Sequence, residues 1–99
     1  MSESAPKVLR LKVVTPRSLL AEVDAEEVFL PTLEGQIGIL PGHRPLYTAV
    51  GRGVLIYRSG REEERFPIRG GFAQITPDEV VVVTEMSGDE QDQSSDGKG

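Results

Sequence analysis

The 99-residue sequence has no cysteine and a single histidine. The missing cysteines exclude thiolate nucleophiles, iron–sulfur ligation and every cysteine-containing zinc motif, and they leave the fold without disulfide staples. No run approaches the roughly 18 apolar residues that a membrane-spanning helix requires, and the N-terminus lacks the basic-then-apolar order of a secretory signal. Any membrane association is therefore expected to run through partners rather than direct insertion. Basic charge is also scarce. The formal net charge is −5. Residues 87–99 hold −3 of it, through Asp89, Glu90, Asp92 and Asp96 against Lys98, so residues 1–86 hold −2. A nucleic-acid-binding domain normally shows a basic excess or stripe, and neither is present.

Helical periodicity is absent as well. No stretch keeps an apolar i, i+3, i+4, i+7 stripe, so no long helix is expected. Short apolar runs instead recur between Pro, Gly and charged pairs, the spacing of an all-β sandwich or barrel. In VLRLKVV, from Val8 to Val14, Leu9, Leu11 and Val13 alternate with Arg10 and Lys12, which is strand period two. Further candidates are Leu19 to Val23, Glu27 to Leu30, Gln36 to Leu40, Leu46 to Val50 and Val54 to Arg58. Pro41-Gly42, Pro45 and Gly51-Arg52-Gly53 read as breakers between them. Ser59-Gly60 reads as the turn of a hairpin into Glu63 to Arg69, where Pro67 implies a sheet edge or a bulge. Phe72 to Thr76 and Glu79 to Glu85 flank Pro77-Asp78 as a second hairpin. The run Val80 to Val83 predicts a strand covered on both faces. One domain, residues 8–86, is expected between two disordered polar tails at 1–7 and 87–99.

The segment EGQIGILPGHRPL, from Glu34 to Leu46, places His43 between two prolines. A Ser-His-acid arrangement would use His43 with Ser18, Ser59 or Ser87, yet none of these serines sits in a strand–turn–helix elbow. A metal would need carboxylates from Glu26-Glu27 or Glu62-Glu63-Glu64, whose spacing suits solvated strand ends. Neither glycine cluster opens a helix, so no phosphate-cradling loop is predicted. Arg52, Arg58, Arg61, Arg65 and Arg69 could form a basic face, but the glutamates among them point to cross-strand ion pairs. No catalytic residue, metal or cofactor is expected. His43 is left as a histidine held in a turn or exposed at an interface.

The blocks Thr15-Pro16, Leu30-Pro31, EGxxGILPGHxPL at Glu34 to Leu46, and GGF at Gly70 to Phe72 occur in an order that resembles the epsilon subunit of F-type ATP synthase. The resemblance spans residues 8–86. It implies a flattened β-sandwich of about ten short strands. It further implies a non-catalytic subunit of the central stalk (rotor), linking the gamma subunit to the ring of c subunits and so coupling ion transport to ATP synthesis. Carried over by position, Thr15, His43, Arg44, Leu46 and Thr48 would face gamma, while Thr32, Leu33, Glu34, Gly35 and Gln36 would face the c ring. The implied location is peripheral, on the cytoplasmic face of a bacterial plasma membrane. Family members often continue into two helices that brake the enzyme and, in some, help bind a regulatory ATP. The polar residues from Ser87 onward do not match that pattern, so neither helix-mediated inhibition nor regulatory ATP is expected. A free-standing β-sandwich adaptor in some other complex is the alternative.

Overall fold

In a computed structural model, which describes residues 8–85, all regular structure is strand. The tails expected at 1–7 and 87–99 lie outside the described residues. Seven strands follow in chain order: β1 (Leu9–Val14), β2 (Leu19–Ala25), β3 (Glu27–Thr32), β4 (Gly35–Ile39), β5 (Leu46–Ser59), β6 (Glu62–Thr76) and β7 (Glu79–Val83). They form one hydrogen-bonded ladder in the order β2-β1-β7-β6-β5-β3-β4.

The ladder becomes a sandwich because the β5–β6 hairpin is long enough to serve both layers. The first half of β5 and the second half of β6 pair with each other, and Phe72 to Thr76 then pair with β7, which leads on to β1 and β2. The second half of β5 pairs with Glu62 to Arg69 on one side and with β3 on the other, which leads on to β4. The first set is layer one and the second is layer two. Gly51, Gly70 and Gly71 lie at the crossing. Gly70 and Gly71 have φ of 81° and 116°, a left-handed region that favours glycine. A Cβ on Gly71 would also overlap the carbonyl oxygen of Val83.

This corrects the expectation of about ten short strands. The Gly51-Arg52-Gly53 and Gly70-Gly71 clusters bend two strands that continue through them, so Leu46 to Ser59 and Glu62 to Thr76 are single elements. Glycine permits the bend, and the unbroken β5–β6 register keeps the ladder intact across it. The hairpin turn also falls one residue later than expected, at Gly60-Arg61, because Ser59 pairs with Glu62.

Alternation is borne out in β1, where Leu9, Leu11 and Val13 are fully buried. They join Ala25, Val28, Leu30, Ile39, Leu55, Ile68, Ile75, Val80 and Val82 in one cluster drawn from both layers. That shared cluster is the driving force for closing the sandwich, at roughly 1.5–3 kcal/mol for each large aliphatic side chain removed from water. Pro67 pairs only with Val54 of β5, since β7 reaches no further along β6 than Phe72. Its missing N–H therefore faces an open edge, as expected. The valine run is different from the prediction: Val80 and Val82 are buried, but Val81 and Val83 are only half-buried. β7 is flanked by strands on both sides and covered on one face, and its other face carries valine toward solvent.

Candidate partner interface

The outward pleat of layer one can be read as three rows that cross the strands, because directly paired residues share a face. The first row runs Leu19, Val14, Val83, Phe72, Ala49 and is apolar throughout. The second runs Glu22, Lys12, Val81, Gln74, Tyr47 and is mixed. The third runs Asp24, Arg10, Glu79, Thr76 and is polar. Ion pairs fill the polar side: Arg10 lies 3.9 Å from Glu22 and 3.5 Å from Asp24, and Lys12 lies 3.5 Å from Glu79. Polarity thus falls from the β6–β7 turn toward the glycine bend.

Within the apolar row Leu19 is 55% accessible and Phe72 42%, Ala49 is exposed, and Val14 and Val83 are half-buried; Tyr47 of the neighbouring row is 66% accessible. Tyr47 and Phe72 are diagonal neighbours whose ring centroids lie 5.4 Å apart at 41°. Such aromatic pairs are typical of interface centres, and a polar margin beside an apolar centre is the usual anatomy of a protein–protein contact. Pro16 extends the surface, since it lines a shallow depression with Gly71, Phe72 and Val83.

The residues expected to face gamma do not lie together. Thr15 is in the β1–β2 turn at the bend end, where its Oγ1 accepts the N–H groups of Arg17 and Ser18, each at 3.1 Å. His43 and Arg44 lie in the β4–β5 connection, which is fastened to the opposite end by the Gly42 N–H donating to the Pro77 carbonyl at 2.7 Å. The six residue-to-residue steps from Gly71 to Pro77 set these ends roughly 20 Å apart. Leu46 and Thr48 pair with buried Ile75 and Ala73 and so lie on the inner pleat. Between and beside them Tyr47 and Ala49 point out. The sequence reading missed Tyr47, Phe72, Val81 and Val83. Their signal was available in the valines at odd positions of β7, which a strand with one bare face has no reason to carry.

The residues expected to face the c ring do form one unit. Thr32 pairs with Gly35 across the two-residue turn Leu33-Glu34, and Gly35 has φ of 120°. The Thr32 hydroxyl donates to the Gly35 carbonyl at 2.5 Å and accepts the Glu34 N–H at 3.1 Å. Leu33 is 74% accessible, and Glu34, Gly35 and Gln36 are exposed. Because Thr32 pairs with Val50, this hairpin projects at the glycine-bend end, the end that also carries the apolar row.

His43 is half-buried, and its Nδ1 lies 2.6 Å from the Arg44 carbonyl. A carbonyl only accepts, so Nδ1 carries the proton. Among the described residues no serine or carboxylate bonds to this ring. Ser18 is at the other end of layer one, Ser59 is at the hairpin tip of layer two, and Ser87 lies outside the described residues. No group of three or more metal-capable side chains occurs among the described residues. The expected cross-strand ion pairing occurs at Arg58, which bonds its β3 ladder partner Glu27 at 3.1 Å and also Glu26, where the chain crosses between layers, at 2.9 Å. It does not run to the glutamates at 62–64, although Arg58 stands opposite Glu63 in the β5–β6 ladder. These contacts, the Glu27 bond foremost, raise the Arg58 pKa further. Arg65 pairs within its own strand, with Glu63 at 3.3 Å.

Residues 8–87 match the family described as the β-sandwich domain of the ATP synthase delta/epsilon chain. The ATP synthase epsilon chain of Prochlorococcus marinus (strain MIT 9515) is 48% identical over 79 residues, which are 80% of this chain and 59% of that protein. The epsilon chain of Gloeothece citriformis (strain PCC 7424) is 39% identical over 75 residues, covering 76% of this chain and 54% of that one. The chain thus spans just over half the length of these relatives. Two solved assemblies share the fold. A chain of the Euglena gracilis mitochondrial ATP synthase, from a structure of OSCP, F1 and c-ring, superposes with a TM-score of 0.79 at 22% identity, over 88% of this chain and 56% of that chain. One from the central stalk and c-ring of the Tetrahymena thermophila enzyme gives 0.67 at 18% identity, over 96% and 78%.

Proposed function

The chain belongs to the ATP synthase delta/epsilon β-sandwich family, and on that premise we propose that it is a non-catalytic subunit of the central stalk of an F-type ATP synthase. Residues 8–86 form the working unit. It holds the gamma subunit on one surface and the c ring at one end, so that ring rotation driven by ion transport reaches gamma and, through it, the sites of ATP synthesis. It acts peripherally, on the cytoplasmic face of a bacterial plasma membrane.

The observation that carries this reading is the outward-facing apolar row on layer one. Gamma docks over Leu19, Val14, Val83, Phe72 and Ala49, with Tyr47 and Val81 beside them and Thr15 at one margin. His43 and Arg44 serve as a polar margin at the far end, where Pro41 and Pro45 limit the ordering cost of the contact. The Thr32 to Gln36 hairpin meets the ring. A two-residue turn locked by the Thr32 hydroxyl is short and stiff, which suits a contact that must carry load.

The absence of cysteine permits a direct test. Glu34→Cys, carrying a photoreactive crosslinker, is assembled into the cognate complex and illuminated. The proposal expects a product with the c subunit, and expects the full chain to capture gamma from detergent-solubilised membranes. Capture of neither would favour a free-standing adaptor.

A further inference from the structure

We propose that the acidic stretch at residues 87–99 docks on an arginine pair at the glycine bend, beside the Thr32 to Gln36 hairpin. Arg52 and Arg69 are direct partners in the β5–β6 ladder. Like charges placed opposite each other across a ladder repel. Neither forms an ion pair among the described residues, as Arg17, Arg44 and Arg61 do not, but only Arg52 and Arg69 stand opposite each other. Arg52 and Arg69 line one open depression together with Leu33, Gly51, Gly70 and Glu85. Glu85 is its one carboxylate against two guanidinium groups, so the depression keeps a net positive charge and is short of a second anion.

The chain supplies one. Glu85 is in the depression wall and is the last described residue. Beyond it come Asp89, Glu90, Asp92 and Asp96. Asp89 can lie at most roughly 13 Å from Glu85 along an extended chain, so the first carboxylates cannot travel far from the arginines. A tether this short gives a high effective concentration, which lets pairs that are individually weak be occupied together. Leu33 is part of the same wall. A docked acidic stretch would therefore cover one flank of the hairpin and weaken whatever that hairpin touches. The docking itself does not depend on the stalk reading.

The test uses the full chain with Ser94→Cys as its one thiol, carrying a nitroxide, and reads line broadening of backbone amides by NMR. At roughly 0.01 M salt the amides of Leu33, Arg52, Arg69 and Gly70 should broaden more than those of Ser59 and Gly60. That excess should fall at least about threefold at roughly 1 M salt, where the screening length drops from roughly 30 Å to roughly 3 Å. It should fall as far in R52Q/R69Q, and when Asp89, Glu90, Asp92 and Asp96 are replaced by their amides. Broadening that ignores salt and both sets of changes reflects tethering alone and overturns the proposal, as does an excess centred elsewhere on the sandwich. Thermal melts supply a second arm: neutralising the four carboxylates should lower Tm in the native background and leave it unchanged in R52Q/R69Q. Equal shifts in both backgrounds would contradict docking on this pair.

Discussion

Gly71 is the residue whose identity the fold tolerates least. Its positive φ is unfavourable for any other residue, and a Cβ there runs into the backbone of Val83 and Thr84. Gly71→Ala should cost more than about 2 kcal/mol, because conformational strain and a backbone clash act together. Gly60 also has positive φ, at 64°, but nothing lies within 4 Å of a Cβ built on it. Gly60→Ala should cost only about 1–2 kcal/mol, the left-handed penalty by itself. Urea unfolding of the two variants checks the order, and equal losses would refute the account of the bend. Tyr57 supplies a pH prediction. Burial first, and Glu64 second, raise its pKa above 10.0. The folded state then keeps a proton that the unfolded state loses. The stability this provides is full below about pH 10 and declines as pH rises through the folded pKa. Between pH 8 and pH 11 the urea midpoint of the native chain should fall further than that of Tyr57→Phe, and equal falls would contradict the assignment.

Among the elements, the bend in β5 and β6 is held by Thr84, a fully buried polar residue. Its N–H donates to the Val14 carbonyl at 2.9 Å, and its Oγ1 accepts the Arg69 N–H at 3.3 Å. Thr84→Val keeps the shape and strands one N–H, so it should cost about 1–3 kcal/mol, measured by chemical unfolding. No change in the midpoint would mean that water satisfies Arg69 instead. These elements were legible in the sequence to different degrees. Strand period two located β1 and the Pro77-Asp78 hairpin directly, since side chains on a pleat must alternate. The fusion of strands at Gly51 and Gly70-Gly71 was not legible, because glycine marks a permitted bend and an ended strand alike. Only the ladder partner decides between them. The hairpin proposed for the c ring was visible as a contiguous block. The layer-one surface was not, because its residues come from β1, β2, β5, β6 and β7 and meet only through registers that sequence does not supply. The parallel pairing of β1 with β7 joins the two ends of the described chain, and nothing local in either strand signals it.

At the scale of the whole molecule, the sandwich has two outer faces, and they differ. Layer one offers an apolar row graded into ion pairs. The outer pleat of layer two carries exposed Val54 beside Arg65 and Pro67 on its open β6 edge. If layer one receives gamma, a charge at the centre of its apolar row should disrupt binding, and the same charge on layer two should not. The deciding measurement is the affinity of the full chain for the cognate gamma subunit, by calorimetry, for the native sequence, Phe72→Glu and Val54→Glu, with folding of each confirmed by circular dichroism. The proposal predicts binding by the native chain, a loss of at least about tenfold in Phe72→Glu, as for a buried aromatic anchor, and little change in Val54→Glu. Undiminished binding by folded Phe72→Glu, or a loss confined to Val54→Glu, would contradict it.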